Sequence, residues 1–269
     1  SAAVTVMVPN SLGPGELLML YGTEEQKDYY LPRLARGKEI PCFALTGVEA
    51  GSDASAMRAT GVICEGEWEG EKTLGIRLNW EKRYTTLGPV ATVIGLAFKL
   101  QDPDGLLGGN KDLGITVALV HTDLPGVDTG DRHIPSGLAF QNGPSWGRDV
   151  FVPVKQILGG QEQTGQGWKM LMEALAGGRM VSLPATGICG IRHGAMIAGA
   201  YSMVRQQFGI PVGRMEGVEH KIGKAAGMTY AFDAARVFGC SAVDKGIQPP
   251  VTSAIMKAYS TEMGRDTGT

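Results

Sequence analysis

The spacing of hydrophobic and polar positions changes along the chain, and the first change separates helix from strand. Up to about residue 37 the apolar positions recur at helical spacing. Thr23 can cap a helix that begins with two glutamates, and Gly37 fits the residue just past its end. From about 38 to 157 the pattern is that of a β region. Its segments 115–122 and 149–154 are rich in β-branched and aromatic residues and lie between Gly, Pro and Asp turns, as short strands do.

The helical period returns at about residue 165 and persists to the end of the chain. It predicts a helix from near Gln166, two more over about 186–206 and 215–245, and another after the prolines at 249 and 250. The second of these is rich in small residues, which favours close approach of a neighbouring helix: Gly187, Gly190, Gly194, Ala195, Ala198, Gly199 and Ala200. Helices, then strands, then long helices indicate segregated layers rather than βαβ units, which is an α+β fold.

The composition is that of an ordinary globular protein. Of 269 residues, 43% are hydrophobic and 19% are charged, and a formal net charge of -2 gives no bulk attraction to nucleic acid or anionic lipid. The cysteines are widely spaced, with no CxxC pair and no histidine cluster, so reduced thiols are expected and no metal site is predicted. No run approaches the about 18 to 20 apolar residues that span a bilayer. These features predict a soluble, cytoplasmic piece.

Classical nucleotide-binding motifs are missing from the sequence. No GxGxxG follows a predicted strand, and the run GLLGGN at 105–110 lacks both the spacing and the context. No GxxxxGK[ST] occurs either. Rossmann-type and P-loop binding are therefore not predicted.

The segment 42–53, CFALTGVEAGSD, carries the most informative chemistry. It reads as a strand that runs into a loop with hydroxyls, free backbone N–H groups and glycines, which can approach a phosphate or a flat heterocycle closely. It also fits an ordinary strand-to-turn connection with a Ser-Asp cap, and the chemistry alone favours that second interpretation.

Four segments in register resemble the acyl-CoA dehydrogenase family: LYGTEEQKDYYLPRLARGKEIPCFALT, CFALTGVEAGSD, GQGWKMLMEALAGGR and VRQQFGIPVGRMEGVEHKIGKAAG. The chain is therefore identified as a member of that family. The segments EKRYTTLGPVATVIGLAFKLQDP and FQNGP are typical of its long bacterial fatty-acid-degradation branch. The resemblance implies the end of an N-terminal helical domain over 1–37, a middle β domain over 38–158 and the first part of a C-terminal helical bundle over 159–269. It also implies FAD as the cofactor.

The resemblance assigns one group of flavin contacts to the segment 42–53. Phe43, Leu45 and Thr46 match strand residues that line the flavin ring, and the Thr46 hydroxyl matches one that hydrogen-bonds it. Ser52, preceded by Gly51, is similar to a serine that contacts the flavin pyrophosphate and the coenzyme A end of the substrate. Ser52 is therefore expected to bind both cofactor and substrate.

The remaining expected contacts are more distant in sequence. Tyr84 stands where most of the family has a Trp against the flavin, and Thr86 keeps a hydroxyl; without the resemblance Tyr84 would be interpreted as an aromatic residue of a sheet. Arg205 and Phe208 resemble residues that reach the flavin of a neighbouring subunit, which implies a homodimer or homotetramer. Arg179 resembles an arginine at the mouth of the substrate site, although pairing with a helix carboxylate is an equally simple role.

The activity that the resemblance implies is α,β-dehydrogenation of fatty acyl-CoA thioesters to trans-2-enoyl-CoA, with hydride transfer to flavin N5. A carboxylate must remove the α proton. One branch of the family places that Glu where this chain has Gly178, and the commoner location falls beyond Thr269. No catalytic residue is therefore predicted in this fragment, which is expected to be inactive by itself and, from its two ends, to be an internal piece of a longer protein.

Two other functions remain open from the sequence. An acyl-CoA oxidase shares the same motifs and passes its electrons to oxygen, and a member without the Glu would only bind acyl-CoA or flavin. For a dehydrogenase, the resemblance implies an electron-transferring flavoprotein as the acceptor, and a parent protein at the inner membrane.

Overall fold

The protein is described here from a computed structural model, which describes residues 13–134, 137, 141–247 and 250–268. The chain forms two compact units, with the division between Ala174 and Leu175. The three predicted domain limits stay a prediction. The succession of helices, strands and helices confirms the α+β class.

The first unit begins with helices α1 (Gly13–Tyr21) and α2 (Glu24–Ala35). Thr23 caps α2 as predicted: its side chain accepts from the backbone N–H of Gln26, and the Gln26 side chain accepts from the backbone N–H of Thr23, which forms a capping box. Gly37 has a φ of +67°, the left-handed conformation that commonly ends a helix. Local sequence chemistry thus sets both ends of α2.

Seven strands of the described residues form one sheet: β1 Pro41–Ala44, β2 Thr60–Trp68, β3 Glu71–Thr86, β4 Val93–Gln101, β5 Asp112–His121, β6 Val127–Thr129 and β7 Asn142–Pro153. Strand β4 pairs in parallel with β1 along its first half and with β2 along its last three residues, both on one edge, while β5 pairs antiparallel on the other edge. The antiparallel ladder then continues from β2 through β3 and β7 to β6.

Strand β3 departs from the prediction of short strands. It runs for 16 residues, pairs with β2 over its first half and with β7 from Gly75 to Thr86, and shifts register after Leu78 and after Lys82. Such shifts bend a strand without ending it, so a long strand can follow a curled sheet.

Strands β4 and β5 are buried on both faces. Alternate residues of β4 contribute to two different cores: Leu96 and Phe98 pack among sheet residues, whereas Val93 and Ala97 pack with helices α1 and α2 and the start of the helix after the sheet. A strand covered on both sides reads as a continuous apolar run, which explains the sequence VIGLAF.

The second unit is helical. Helix α3 (Gly167–Met180) leads into it, followed by α4 (Ser182–Val204), a small hairpin of β8 (Gln206–Gln207) and β9 (Ile210–Pro211), α5 (Glu216–Asp244) and α6 (Pro250–Gly268). The predicted close approach is confirmed at two glycines of α4: a Cβ at Gly187 would press on the Ser260 carbonyl of α6, and one at Gly194 on the Thr267 carbonyl. Gly190 and Gly199 face open space, so they do not share this role.

None of the helices in the described ranges is long and apolar enough to cross a membrane.

Gly147→Ala tests how tightly the long strand is packed. A Cβ at Gly147 of β7 would overlap the ring of Trp80, which is buried and donates a hydrogen bond to Ser145 Oγ at 3.3 Å. We expect the substitution to lower the free energy of unfolding by about 1–3 kcal/mol, as overpacking does, measured by urea denaturation.

The matched control is Gly51→Ala, because a Cβ at Gly51 would have no neighbour within 4 Å. Equal stability of the Gly147 variant and the wild-type chain would contradict this packing.

Candidate functional site

The predicted site segments of the first unit meet where β3 crosses the end of β1. The backbone N–H of Arg83 donates to the carbonyl of Thr46 at 3.0 Å, and Gly47 forms an isolated antiparallel bridge with Lys82. The loop that follows β1 is therefore an edge partner of β3. This brings the segment of Phe43 to Thr46 next to the segment of Tyr84 to Thr86.

Lys82 adds a side-chain tie to the same crossing. The residue is 1% exposed, and its Nζ donates to the carbonyl of Leu45 at 2.8 Å. Burial disfavours the charged ammonium and lowers the pKa of Lys82 to about 7. Lysine is almost never buried this deeply without a polar partner. The surrounding fold must therefore keep the Leu45 carbonyl within reach of the Lys82 ammonium.

The chain turns outward immediately after Lys82. Tyr84 has a φ of +55° and Leu87 a φ of +63°, a left-handed conformation that costs energy for residues with a Cβ. The Tyr84 side chain is 63% exposed, and its ring lies 5.3 Å from the ring of His133. Thr86 is half-buried. An aromatic ring is therefore exposed at the surface where β3 shifts register and its backbone becomes left-handed.

The β1 side of the site is less exposed. Phe43 and Leu45 are half-buried and pack against the core that includes α1 and α2, whereas the alternate residues Cys42 and Ala44 face the sheet core. Thr46, the next residue, is half-buried. Phe43 and Leu45 therefore lie on one side of the strand and fix it between two cores.

The loop beyond Thr46 is held at its middle and open at its tip. The Gly47 N–H donates to the Ala50 carbonyl at 3.1 Å, and Ala50 is buried. Gly51 and Ser52 follow on the exposed part of the loop. Behind the loop lies a cavity of about 360 Å³, whose charged lining residues are Glu49, Arg58, Glu81 and Lys82.

Arg205 and Phe208 lie in the second unit, at and just after the end of α4. Arg205 is not in the helix predicted over 186–206: α4 ends at Val204, and Arg205 has extended backbone that leads into the β8–β9 hairpin. Its carbonyl accepts from the N–H of Val212 at 2.8 Å. Phe208 lies at the hairpin turn, 96% exposed and with a φ of +56°. Arg179 lies in α3, and the prediction for its side chain falls outside the described residues.

Two residues of the site were missed from the sequence. Lys82 has a signal there, because it continues the inward phase of Leu78 and Trp80 in a strand with period two. His133 has no such signal in the sequence. Its backbone N–H donates to the Asn142 carbonyl at 2.7 Å, and its ring Nδ1 lies 3.3 Å from Asn142 Oδ1. Only the fold brings these two segments together.

Family models match both ends of the sequence. The model "Acyl-CoA dehydrogenase, N-terminal domain" covers residues 1–38, and "Acyl-CoA dehydrogenase, C-terminal domain" covers residues 165–269.

Curated relatives support the same family. The chain is 33% identical over 256 residues to "Probable acyl-CoA dehydrogenase FadE10" of Mycobacterium tuberculosis, covering 94% of the chain and 37% of the relative. It is 32% identical over 267 residues to "Acryloyl-CoA reductase (NADH)" of Anaerotignum propionicum, covering 98% and 63%. A stretch of 104 residues, 39% of the chain, is 50% identical to "Protein HemX" of Proteus mirabilis, of which it covers 61%. The chain spans less than two thirds of the length of each of these relatives.

Solved structures confirm the predicted fold. An acyl-CoA dehydrogenase from Geobacillus kaustophilus superposes with a TM-score of 0.78 at 24% identity, over 94% of this chain and 63% of that one. The structure "PigA with FAD and proline" superposes with a TM-score of 0.78 at 25% identity, over 97% of this chain and 64% of that one.

Lys82→Met tests the burial of the lysine through the pH dependence of stability. The unfolded lysine has a pKa near 10.5 and the folded one a pKa of about 7, so between these values the unfolded state binds more protons. The stability that depends on Lys82 is therefore greatest above pH 10.5, falls as the pH drops towards 7, and is level below 7. We expect the Met variant to gain about 3 kcal/mol in free energy of unfolding relative to wild type on going from pH 9.5 to pH 7.

The measurement is urea denaturation at both pH values, with Lys72→Met as control. Lys72 is on the same strand but is 75% exposed at its side chain. A stability difference between Lys82→Met and wild type that does not change with pH would contradict the buried position.

Proposed function

Because the chain belongs to the acyl-CoA dehydrogenase family, we propose that it forms the flavin-binding part of an enzyme that dehydrogenates fatty acyl-CoA thioesters between the α and β carbons. The observation that carries this proposal is the crossing of β1 and β3. It brings the segment of Phe43 to Thr46 next to the segment of Tyr84 to Thr86, with the Tyr84 ring exposed at the surface of the β unit.

This surface fits FAD, which is the cofactor. An isoalloxazine needs a flat apolar contact and a few hydrogen-bonding groups at its edge, and Tyr84 with Thr46 and Thr86 offers both. Gly51 and Ser52, on the exposed part of the same loop, suit the pyrophosphate, since free backbone N–H groups and a hydroxyl favour an anion. The relative PigA has been solved with FAD, which supports the assignment. Bound FAD supplies the acceptor for the hydride that leaves the β carbon.

The residues of this chain bind and orient, and the proton is removed elsewhere. Ser52 is assigned to the coenzyme A end of the substrate, and Arg179 to the mouth of the substrate site. Gly178 cannot act as a base, and the catalytic Glu is expected beyond residue 269. Arg205 and Phe208 are assigned to the flavin of a neighbouring subunit in a homodimer or homotetramer: both adjoin the hairpin after α4, and the Phe208 ring projects almost fully exposed. An electron-transferring flavoprotein is the proposed electron acceptor.

A second candidate is the reverse reaction, reduction of an enoyl-CoA. The acryloyl-CoA reductase of Anaerotignum propionicum matches 98% of the chain at 32% identity, so a protein that carries that name is about as similar to the chain as the dehydrogenase of Mycobacterium tuberculosis is. The proposed flavin surface suits hydride transfer in either direction.

The test of the proposed function uses the protein expressed from the complete reading frame and loaded with FAD. A long-chain acyl-CoA is added without oxygen while the visible absorbance of the flavin is followed. We expect the band to bleach at a rate that depends on the acyl group. Bleaching by NADH and return of the colour with acryloyl-CoA, but no bleaching by acyl-CoA, would favour the reductase.

Two further results would overturn the dehydrogenase. Hydrogen peroxide formed in proportion to turnover in air would identify an oxidase. A flavin that stays yellow with every acyl-CoA would leave a member that only binds its ligands.

Thr46→Val and Tyr84→Ala test the assigned flavin face. Loss of one hydrogen bond costs about 1 kcal/mol, so Thr46→Val should weaken FAD binding roughly fivefold. Loss of the Tyr84 ring removes stacking and apolar contact, and we expect roughly a tenfold weakening. FAD affinity is measured by fluorescence titration of the apoprotein, with Thr73→Val on the β2–β3 hairpin as control. Unchanged affinity in both site variants would show that the flavin binds elsewhere.

A further inference from the structure

We infer that Lys82 is a positioning residue for the flavin: its side chain fixes the end of β1 against β3 and so sets the distance between Thr46 and Tyr84. This inference rests on the proposed function, because it concerns the same flavin-facing surface. Lys82 is not among the residues proposed to touch the flavin ring or its pyrophosphate.

The geometry joins two consecutive carbonyls to one strand. Leu45 O accepts from Lys82 Nζ at 2.8 Å, and Thr46 O accepts from the Arg83 N–H at 3.0 Å. The second bond belongs to the backbone and survives any side-chain change. The first depends on the lysine alone, so Lys82 decides whether the Leu45 peptide is held as well.

The position of Lys82 links this hydrogen bond to the residues assigned to the flavin. Leu45 precedes Thr46 by one residue, and Lys82 precedes Tyr84 by two, across the point where β3 shifts register against β7. A bulge is a place where a strand can bend, and the two left-handed residues that follow add backbone strain. A tie at the last regular position of the strand therefore limits how far the Tyr84 ring can move relative to the Thr46 hydroxyl.

The charged neighbours do not provide another reason for a lysine at this position. The other ionisable residues that line the cavity beside Lys82 are Glu49, Arg58 and Glu81. Glu49 pairs with Arg58, and Glu81 lies 3.8 Å from Arg83. Burial of the ammonium is unfavourable, and a Met of similar length would fill the same space without that cost. The lysine is then explained by what its Nζ holds, which is the Leu45 carbonyl.

The experiment compares Lys82→Met, Lys82→Arg and the exposed control Lys72→Met in the complete protein. For each, the Kd for FAD, the visible spectrum of the bound flavin and the thermal unfolding of the apoprotein are measured at pH 7. We expect Lys82→Met to raise the Kd at least tenfold and to shift the flavin band, with no loss of apoprotein stability. Lys82→Arg keeps a donor, and the cavity leaves room for the larger head group, so it should recover most of the affinity. Lys72→Met should match wild type.

Three results would overturn the inference. The first is a Met variant with the Kd and flavin spectrum of wild type. The second is a fall in apoprotein stability that accounts for the whole loss of FAD, which would make the lysine merely structural. The third is an Arg variant that folds like wild type but whose FAD affinity falls as much as expected when Thr46→Val and Tyr84→Ala are combined in one protein. This result decides the question even if the Met variant does not fold. If the wild-type protein itself binds no FAD, the proposed function fails together with this inference. In the three results above, wild type still binds FAD and only the inference about Lys82 fails.

Discussion

The candidate site depends on a crossing of two strands that a backbone hydrogen bond and one buried side chain hold together. Strand β1 pairs in parallel with β4 and ends after four residues, and its continuation is taken up by β3 through the Arg83–Thr46 hydrogen bond and the Lys82–Leu45 contact. Without this crossing, the segment after β1 would be an ordinary exposed loop. The chemistry proposed for the surface depends on it, because two segments far apart in sequence become backbone neighbours there.

The crossing is stable because strand β4, to which β1 is paired, is buried on both faces. Strand β4 sends alternate side chains into two cores, and β1 is paired to it over all four of its residues. Phe43 and Leu45 pack towards the helices, while Cys42 and Ala44 pack towards the sheet. The strand that carries the site is thus fixed from two sides, and the loop can be open without being loosely attached.

Much of this architecture could be predicted from local sequence. Thr23 and Gly37 mark the ends of α2 through capping chemistry that acts within a few residues, and the small residues of α4 predicted a close helix contact that Gly187 and Gly194 make. The length of β3 could not be predicted, because its register shifts depend on pairing with β7, about 60 residues later in the chain. The helical period predicts that Arg205 lies in a helix, whereas the signals that end the helix, Gly209 and Pro211, come only a few residues later. The pairing of Tyr84 with His133 likewise depends on long-range contacts, whereas Lys82 could have been found by following the period of two from Leu78.

The double burial of β4 has a consequence for how the chain opens. Amide protons in a strand that is paired on both edges and covered on both faces exchange with solvent only when the whole unit unfolds. The outward turn after Lys82 and the exposed part of the loop at Gly51 and Ser52 lie at the surface, where opening requires far less energy. The β unit therefore combines a slowly exchanging centre with a rim that can open by itself, so a ligand can enter or leave at the rim while the centre remains folded.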